Sequence, residues 1–183
     1  YDFAYMRCVP NMIIASPMNE VELRNLMYTA QLPREGKAFT LRYPRGQGVM
    51  PVWRKPMEAI TIGTGRKIAD GKDIAILSIG HIGNYVIEAS QKLASSGIQP
   101  AHYDMRFVKP IDATMLHEVF QKFDKVITVE DGCIEGGFGS AVLEFMADNQ
   151  YQAQVVRLGI PDEVIEQGEQ LELQEISGFS PNG

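Results

Sequence analysis

The sequence has few cysteines, no long apolar run and no excess of basic residues. Cys8 and Cys133 lie far apart, and neither has a Cys or His nearby at metal-ligand spacing, so no zinc site or disulfide framework is expected. The longest apolar runs, such as residues 74–77, are too short to cross a bilayer. Seventeen basic against twenty-three acidic residues give a net charge of -6, which argues against general nucleic-acid binding. These absences favour a cytoplasmic protein with neither a membrane nor a nucleic-acid partner.

The composition is otherwise that of a globular protein. Hydrophobic residues make up 45% and charged residues 22% of the 183 residues, which is sufficient for a sizeable core. The length suits one domain, or one domain with part of another. The chain opens at Tyr1 without an initiator methionine and runs at once into an apolar and aromatic stretch. We therefore expect it to be a piece of a longer protein.

The pattern of residues 1–50 indicates the end of an incomplete domain. The pattern indicates a strand at 12–15, a helix at 19–30 capped by Ser16 or Asn19, and a strand at 38–43. Two strands and one helix cannot cover both faces of a sheet, so this part needs more chain or a partner. The prolines and glycines of residues 44–56 predict an exposed connector, and we place the linker between the domains at 51–60.

Residues 61–183 predict a complete second domain. Strands at 73–79, 101–106, 125–129 and 154–157 alternate with helices at 84–95, 113–123 and 139–149, and a short helix follows near 167–175. Apolar strands that alternate with helices indicate a mostly parallel sheet covered on both faces. The predicted fold class is therefore α/β, with a doubly wound domain preceded by a partial α/β domain.

A stretch without acidic residues, between Glu35 and Glu58, holds five basic residues. Within it, residues 42–46 follow a predicted strand, at the edge of the sheet where open α/β proteins bind ligands. Pro44 fixes the turn and Gly46 allows close backbone approach, so the Arg45 guanidinium can face a phosphate or carboxylate. The alternative is that these arginines form surface salt bridges or interface contacts. The five are Lys37, Arg42, Arg45, Arg54 and Lys55.

A glycine-rich loop at 136–139 is a second candidate anion site. It opens a predicted helix but lacks both G-x-G-x-x-G and the lysine of a P-loop, so close helix packing is the favoured interpretation. Glu130 and Asp131 end the preceding strand and could hold magnesium or act as acid and base. A helix cap or a subunit contact is favoured for this acidic pair.

The three histidines show no catalytic pattern. None has a partner at a spacing typical of catalysis, and a structural role is expected for each. They are His81, His102 and His117.

Several strings resemble the 1-deoxy-D-xylulose-5-phosphate synthase family, and the resemblance runs essentially end to end. Transketolases and the beta subunits of 2-oxoacid dehydrogenases share the architecture but do not typically have the R-Y-P-R-G and D-M-R-F-V-K-P strings. The resemblance implies the end of a pyrimidine-binding domain at 1–50 and a transketolase-like C-terminal domain at 61–183. The strings lie at residues 7–12, 17–24, 42–46, 104–112, 129–139 and 158–162.

The resemblance implies a thiamine-diphosphate- and Mg²⁺-dependent transferase. Such an enzyme condenses pyruvate with glyceraldehyde 3-phosphate and releases CO2. The product, 1-deoxy-D-xylulose 5-phosphate, is a precursor in isoprenoid (isoprene), thiamine and pyridoxal biosynthesis. The enzyme is expected to be a cytoplasmic homodimer. The resemblance also implies that Arg45 binds the substrate phosphate, with Arg42 and Tyr43 as candidates for support. It places no catalytic, cofactor-binding or metal-binding residue in this chain, so the chain alone is expected to be inactive.

Two alternative functions stay open. One is the beta subunit of a 2-oxoacid dehydrogenase. The other is a non-catalytic assembly module that binds a small anion at the loop 136–139.

Overall fold

The computed structural model describes residues 1–33 and 35–180. Residues 181–183, the end of the predicted second domain, lie outside the described residues. A short 3-10 turn, Gly80–Ile82, leads into the third helix. The helices are α1 Asp2–Arg7, α2 Glu20–Thr29, α3 Gly83–Ser95, α4 Ala113–Lys122, α5 Phe138–Asp148 and α6 Gln170–Ile176.

The strands form two sheets, a small one in the order β2-β1-β6 and a larger one in the order β3-β5-β4-β7-β8. In the larger sheet β5, β4, β7 and β8 are parallel, and only the edge strand β3 is antiparallel. The strands are β1 Met12–Ala15, β2 Ala38–Leu41, β3 Arg66–Ala69, β4 Ile74–Ile79, β5 Pro100–Asp104, β6 Phe107–Lys109, β7 Lys125–Cys133 and β8 Gln154–Ile160.

The larger sheet is buried on both faces. Along β4, Leu77 faces the main core, which also holds Leu116 of α4 and Phe138 of α5. Ile76 faces a second cluster with Val86 of α3. Successive side chains of a strand point to opposite faces, so apolar cover on both sides explains why β4 is apolar without alternation except for Ser78.

The small sheet combines strands from both parts of the chain. β1 pairs in parallel with β2, and on its other edge β6 pairs antiparallel with it, with Ala15 opposite Phe107. Phe3 of α1 is buried in the main core of the larger sheet. The second part of the same chain thus supplies one further strand to the small sheet and buries Phe3, while Tyr5, Met27 and Tyr28 of the first part stay exposed.

A buried ionic network also joins the two parts. Glu22 of α2 accepts two hydrogen bonds of 2.8 Å from the Arg106 guanidinium and lies 3.2 Å from Arg66 of β3. Arg66 in turn donates to Asp104 at 3.1 Å. Burial raises the pKa of Asp104 to about 6, with the Arg66 charge opposing that rise. Removing one member would leave charges buried and unpaired.

Several predicted boundaries are corrected by the structure. The strand predicted at 101–106 ends at Asp104, and Arg106 adopts a positive φ of 56° between β5 and β6. The strand predicted at 125–129 continues to Cys133. The helix predicted from residue 19 begins after Asn19, whose side chain accepts from the Glu22 amide at 3.0 Å. This contact assigns the cap to Asn19 rather than Ser16.

Candidate anion-binding pocket

The segment 42–46 is fixed where β1 and β2 end. The Arg42 amide donates to the Ala15 carbonyl at 2.9 Å, and the Ser16 hydroxyl donates to the Arg42 carbonyl at 2.7 Å. Because β1 and β2 are parallel, these bonds place residues 43–46 at the carboxyl edge of the small sheet. This is the edge at which the sequence predicted a ligand.

The larger sheet approaches the same edge through Gly80, which follows β4. Gly80 has a φ of +78°, and a Cβ there would lie 2.3 Å from the Ser16 hydroxyl oxygen. Glycine is required for both reasons, the positive φ and the close approach. The contact brings the start of α3 beside the segment 42–46.

A cavity of about 380 Å³ lies between these two edges. The first part of the chain contributes the start of α2 and the turn that follows β2. The second part contributes His81, Asn84 and Tyr85 around the start of α3, and Gln170 at the start of α6. The lining from the first part comprises Pro17, Met18, Asn19, Glu20, Leu23 and residues 43–49.

Arg45 is exposed in this pocket and forms no ion pair with any residue of the described ranges 1–33 and 35–180. Glu20 is the carboxylate of the lining, but it accepts from the Val49 amide at 2.7 Å and from the Met50 amide at 2.9 Å. Two amide dipoles therefore offset its charge, and the Arg45 guanidinium keeps its donors for a ligand.

Arg42 has a different environment from Arg45. Its Nε lies 3.3 Å from Asp2 and its NH1 lies 3.4 Å from Asp131, and the guanidinium stacks over the Phe3 ring at 5.3 Å. These contacts tie the segment to α1 and β7. Tyr43 is exposed and lines the pocket. Arg42 thus holds the backbone that carries Arg45, and it is absent from the pocket lining.

His81 lines the pocket, although the sequence indicated only a structural role. Its Nε2 lies 3.4 Å from an Asp131 carboxylate oxygen and 3.2 Å from the Gln170 amide nitrogen. Burial lowers the pKa of His81, Asp131 opposes this shift and Arg42 adds to it. The place of His81 after β4, at the carboxyl edge of a parallel strand, is the sequence signal that could have found it.

The glycine-rich loop 136–139 is filled from within the protein. The buried carboxylate of Glu130 accepts from the amides of Phe138 and Gly139, both at 2.8 Å, and a Cβ on Gly137 would lie 2.3 Å from that carboxylate. Burial raises the pKa of Glu130, and these two amide bonds oppose the rise. Glu130 is thus arranged to cap α5 and the glycines allow close packing, in line with the favoured interpretations, whereas Asp131 contacts Arg42 and His81 instead.

The other two histidines lie away from the pocket. His102 is buried, its Nε2 is 2.8 Å from the Ser78 hydroxyl, and burial lowers its pKa to about 4. His117 contacts the Tyr151 hydroxyl at 2.9 Å. Across residues 1–33 and 35–180, no group of three or more His, Cys, Asp or Glu side chains is arranged to hold a metal ion.

Comparison with known proteins identifies the family. The model of the transketolase C-terminal domain matches residues 63–183. The chain belongs to the transketolase C-terminal domain family. A solved split-gene transketolase, described as an inactive beta4 tetramer, superposes on this transketolase-type chain with a TM-score of 0.86 at 28% identity, covering 99% of this chain and 58% of that one. The predicted α/β, doubly wound fold is confirmed.

Curated relatives of this transketolase-type chain carry the name that its motifs suggested. A 1-deoxy-D-xylulose-5-phosphate synthase from Cytophaga hutchinsonii is 67% identical over 99% of the chain, and one from Bacteroides thetaiotaomicron is 56% identical over 98%. One from Aquifex aeolicus is 42% identical over 100%. The resemblance is therefore confirmed. The chain spans 28% of the length of the first two relatives and 29% of the third.

In the described part of this transketolase-type chain, no helix is both long and apolar enough to cross a membrane.

Proposed function

We propose that this chain is the C-terminal part of a 1-deoxy-D-xylulose-5-phosphate synthase. The intact protein then condenses pyruvate with glyceraldehyde 3-phosphate and releases CO2, acting as a cytoplasmic homodimer. The observation that carries the proposal is the 67% identity to a protein of that name over 99% of the chain. Arg45, which has no ion-pair partner among the described residues, supports it because it lies in a pocket large enough for a small phosphorylated aldehyde.

Arg45 is the residue that we assign to the phosphate of glyceraldehyde 3-phosphate. A guanidinium offers two parallel N–H donors that match two phosphate oxygens. Arg42 supports this role indirectly, since its ion pairs with Asp2 and Asp131 fix the strand end from which Arg45 projects. Tyr43 contributes a wall of the same pocket.

Thiamine diphosphate and Mg²⁺ do not fit the described residues of this chain. Those residues supply no carboxylate cluster for the metal ion, and the amides of the loop 136–139, which could hold a diphosphate, already bind Glu130. We therefore place both groups in the rest of the intact protein, and we assign no step of cofactor chemistry to this chain.

The alternatives receive less support. An anion-binding module built on the loop 136–139 would need free amides there, and two of these amides are bonded to a buried carboxylate. The beta subunit of a 2-oxoacid dehydrogenase shares the fold, but the relatives quoted above that span nearly the whole chain are named as synthases.

The test is steady-state kinetics of the intact enzyme with Arg45→Ala. We expect kcat/KM for glyceraldehyde 3-phosphate to fall by roughly 30-fold or more, because two charge-assisted hydrogen bonds are lost. Activity with unphosphorylated glyceraldehyde and the KM for pyruvate should change little. Arg45→Lys keeps the charge but not the planar fork, so its value should lie in between.

The matched control is Arg54→Ala, which removes an arginine that stacks on Trp53 in the same acid-free stretch but is absent from the pocket lining. It should leave the kinetics unchanged. Wild-type kcat/KM for the phosphorylated aldehyde in Arg45→Ala would refute the assignment of Arg45. An intact protein that does not form the product from the two substrates would refute the proposed function.

A further inference from the structure

The C-terminal segment returns to the anion pocket after the last strand. We define residues 170–180 as the C-terminal strap, which comprises α6 and the residues that follow it. Gln170, the first residue of α6, lines the pocket together with Arg45. Its side-chain amide nitrogen lies 3.2 Å from His81 Nε2. The strap therefore forms part of the outer wall of the pocket.

Phe179 attaches the other end of the strap to the larger sheet. Its side chain is 4% exposed and packs in the cluster that contains Ile76 and Val86. Tyr85 of α3 lines the anion pocket and also the small cavity beside Phe179. One α3 side chain thus lies between the apolar attachment of the strap and the pocket that the strap covers.

The contacts that hold the strap are weak. A cavity of about 140 Å³ is lined in part by Phe179, and unfilled volume weakens packing. Gln174 is 2% exposed, yet neither of its amide atoms has a hydrogen-bond partner among the described residues. A buried, unsatisfied amide is unfavourable. On the outer side, Leu171 and Ile176 are 50% and 71% exposed.

We propose that the C-terminal strap closes the anion pocket over a phosphorylated substrate, with Gln170 as a substrate-positioning residue and Phe179 as the anchor. This inference rests on the proposed function, since it assigns the bound anion to the acceptor substrate. The Gln170 side-chain amide lines the same pocket as Arg45 and can donate to a phosphate oxygen of a bound anion. A weakly seated segment is of the kind that opens and closes at low cost in free energy.

The kinetic test uses the full-length enzyme with Gln170→Ala, a change at an exposed residue that leaves the core untouched. We expect KM for glyceraldehyde 3-phosphate to rise by about 3- to 10-fold, the effect of one lost hydrogen bond. KM for unphosphorylated glyceraldehyde and for pyruvate should stay at wild-type values. The matched control is Leu171→Ala, which truncates the neighbouring exposed side chain and should change none of these constants.

The structural test is hydrogen exchange of the backbone amides of residues 170–176, with inorganic phosphate as the probe. Phosphate should slow this exchange in the wild type and in Leu171→Ala, and should not slow it in Arg45→Ala. Phe179→Ala should exchange faster without phosphate and raise KM for the phosphorylated aldehyde. Phe179→Leu keeps an apolar anchor, so its exchange rate and its KM should lie close to the wild-type values. This variant also provides a test if the alanine variant does not fold.

The outcomes separate the two proposals. If Arg45→Ala impairs the use of the phosphorylated aldehyde while Gln170→Ala and both Phe179 variants keep wild-type constants, the strap proposal is overturned and the function stands. If the full-length protein does not turn over the two substrates, the function fails. In that case, slower exchange of residues 170–176 with phosphate would still show that the strap covers an anion pocket. Unchanged exchange would overturn the strap proposal as well.

Discussion

Two strand ends in this chain carry the sequence features of an anion site, and only one is open to a ligand. The segment 42–46 follows β2 and places Arg45 in the lining of a pocket. Arg45 has no ion-pair partner among the described residues, whereas Arg42 has two. The loop 136–139 follows β7 and presents the amides at the start of α5. Those amides are bonded to Glu130 of the preceding strand.

The two strand ends differ in whether a carboxylate of the protein itself already binds the groups that could hold an anion. At the loop, a carboxylate from the chain occupies the position that a phosphate would take, and Arg7 of α1 covers the outer side by donating to the Gly136 carbonyl at 2.7 Å. At the segment 42–46, the internal carboxylates bind Arg42 and the amides of the connector instead. Glycines at a helix start therefore indicate an anion site only when no internal acid reaches them.

Glu130→Ala should give the largest effect of the changes that test this comparison. It leaves two buried amides at the start of α5 without partners, and we expect a loss of about 2 to 4 kcal/mol in the free energy of unfolding. Chemical denaturation followed by circular dichroism measures the loss. Glu135→Ala, a matched control, removes an exposed acid directly before the loop 136–139 that lies 3.6 Å from Arg157, and should cost less than about 0.5 kcal/mol. Equal losses would show that Glu130 is not the internal ligand.

Much of the fold was predictable because it depends on local patterns. The central strand β4 of the larger sheet is apolar except for Ser78, and the helices of this part carry caps such as Asp112, whose carboxylate accepts from the Met115 amide at 2.9 Å. Elements whose stability depends on distant residues were missed. The three-residue β6 exists only because it pairs with β1, and the six-residue α1 only because Phe3 reaches the main core.

The residues of the candidate site also divide into those that a local pattern predicts and those that depend on distant parts of the chain. Arg45 was predictable from the strand, proline and glycine around it, which all lie within a few residues. His81, Tyr85 and Gln170 reach the pocket from α3 and α6, so their part in it depends on how the two sheets meet. No spacing along the chain encodes that arrangement, and the family resemblance implied roles only for Arg45 and, in support, for Arg42 and Tyr43.

Asp131→Asn tests the open site at residues 42–46 and should give a smaller effect than Glu130→Ala. Asp131 is the carboxylate shared by Arg42 and His81, so its neutralisation loosens the strand end that carries Arg45. We expect a loss of about 1 kcal/mol in the free energy of unfolding and a rise of about 3-fold in KM for glyceraldehyde 3-phosphate in the intact enzyme. The control Asp70→Asn breaks the exposed pair with Lys67 and should change neither quantity. Unchanged kinetics in Asp131→Asn would mean that Arg45 is held by its own turn alone.

The smallest effect should come from offering an anion to the emptied loop. In Glu130→Ala the amides of Phe138 and Gly139 are free, and an anion at the start of a helix gains about 0.3 to 1 kcal/mol from those donors and the helix dipole. Inorganic phosphate should therefore raise the melting temperature of Glu130→Ala more than that of the wild type, when compared with chloride at equal ionic strength. Glu135→Ala should respond like the wild type, because its amides still bind Glu130. If Glu130→Ala gains no more than the wild type, the loop is closed to anions by its packing against α1 and not by its internal carboxylate.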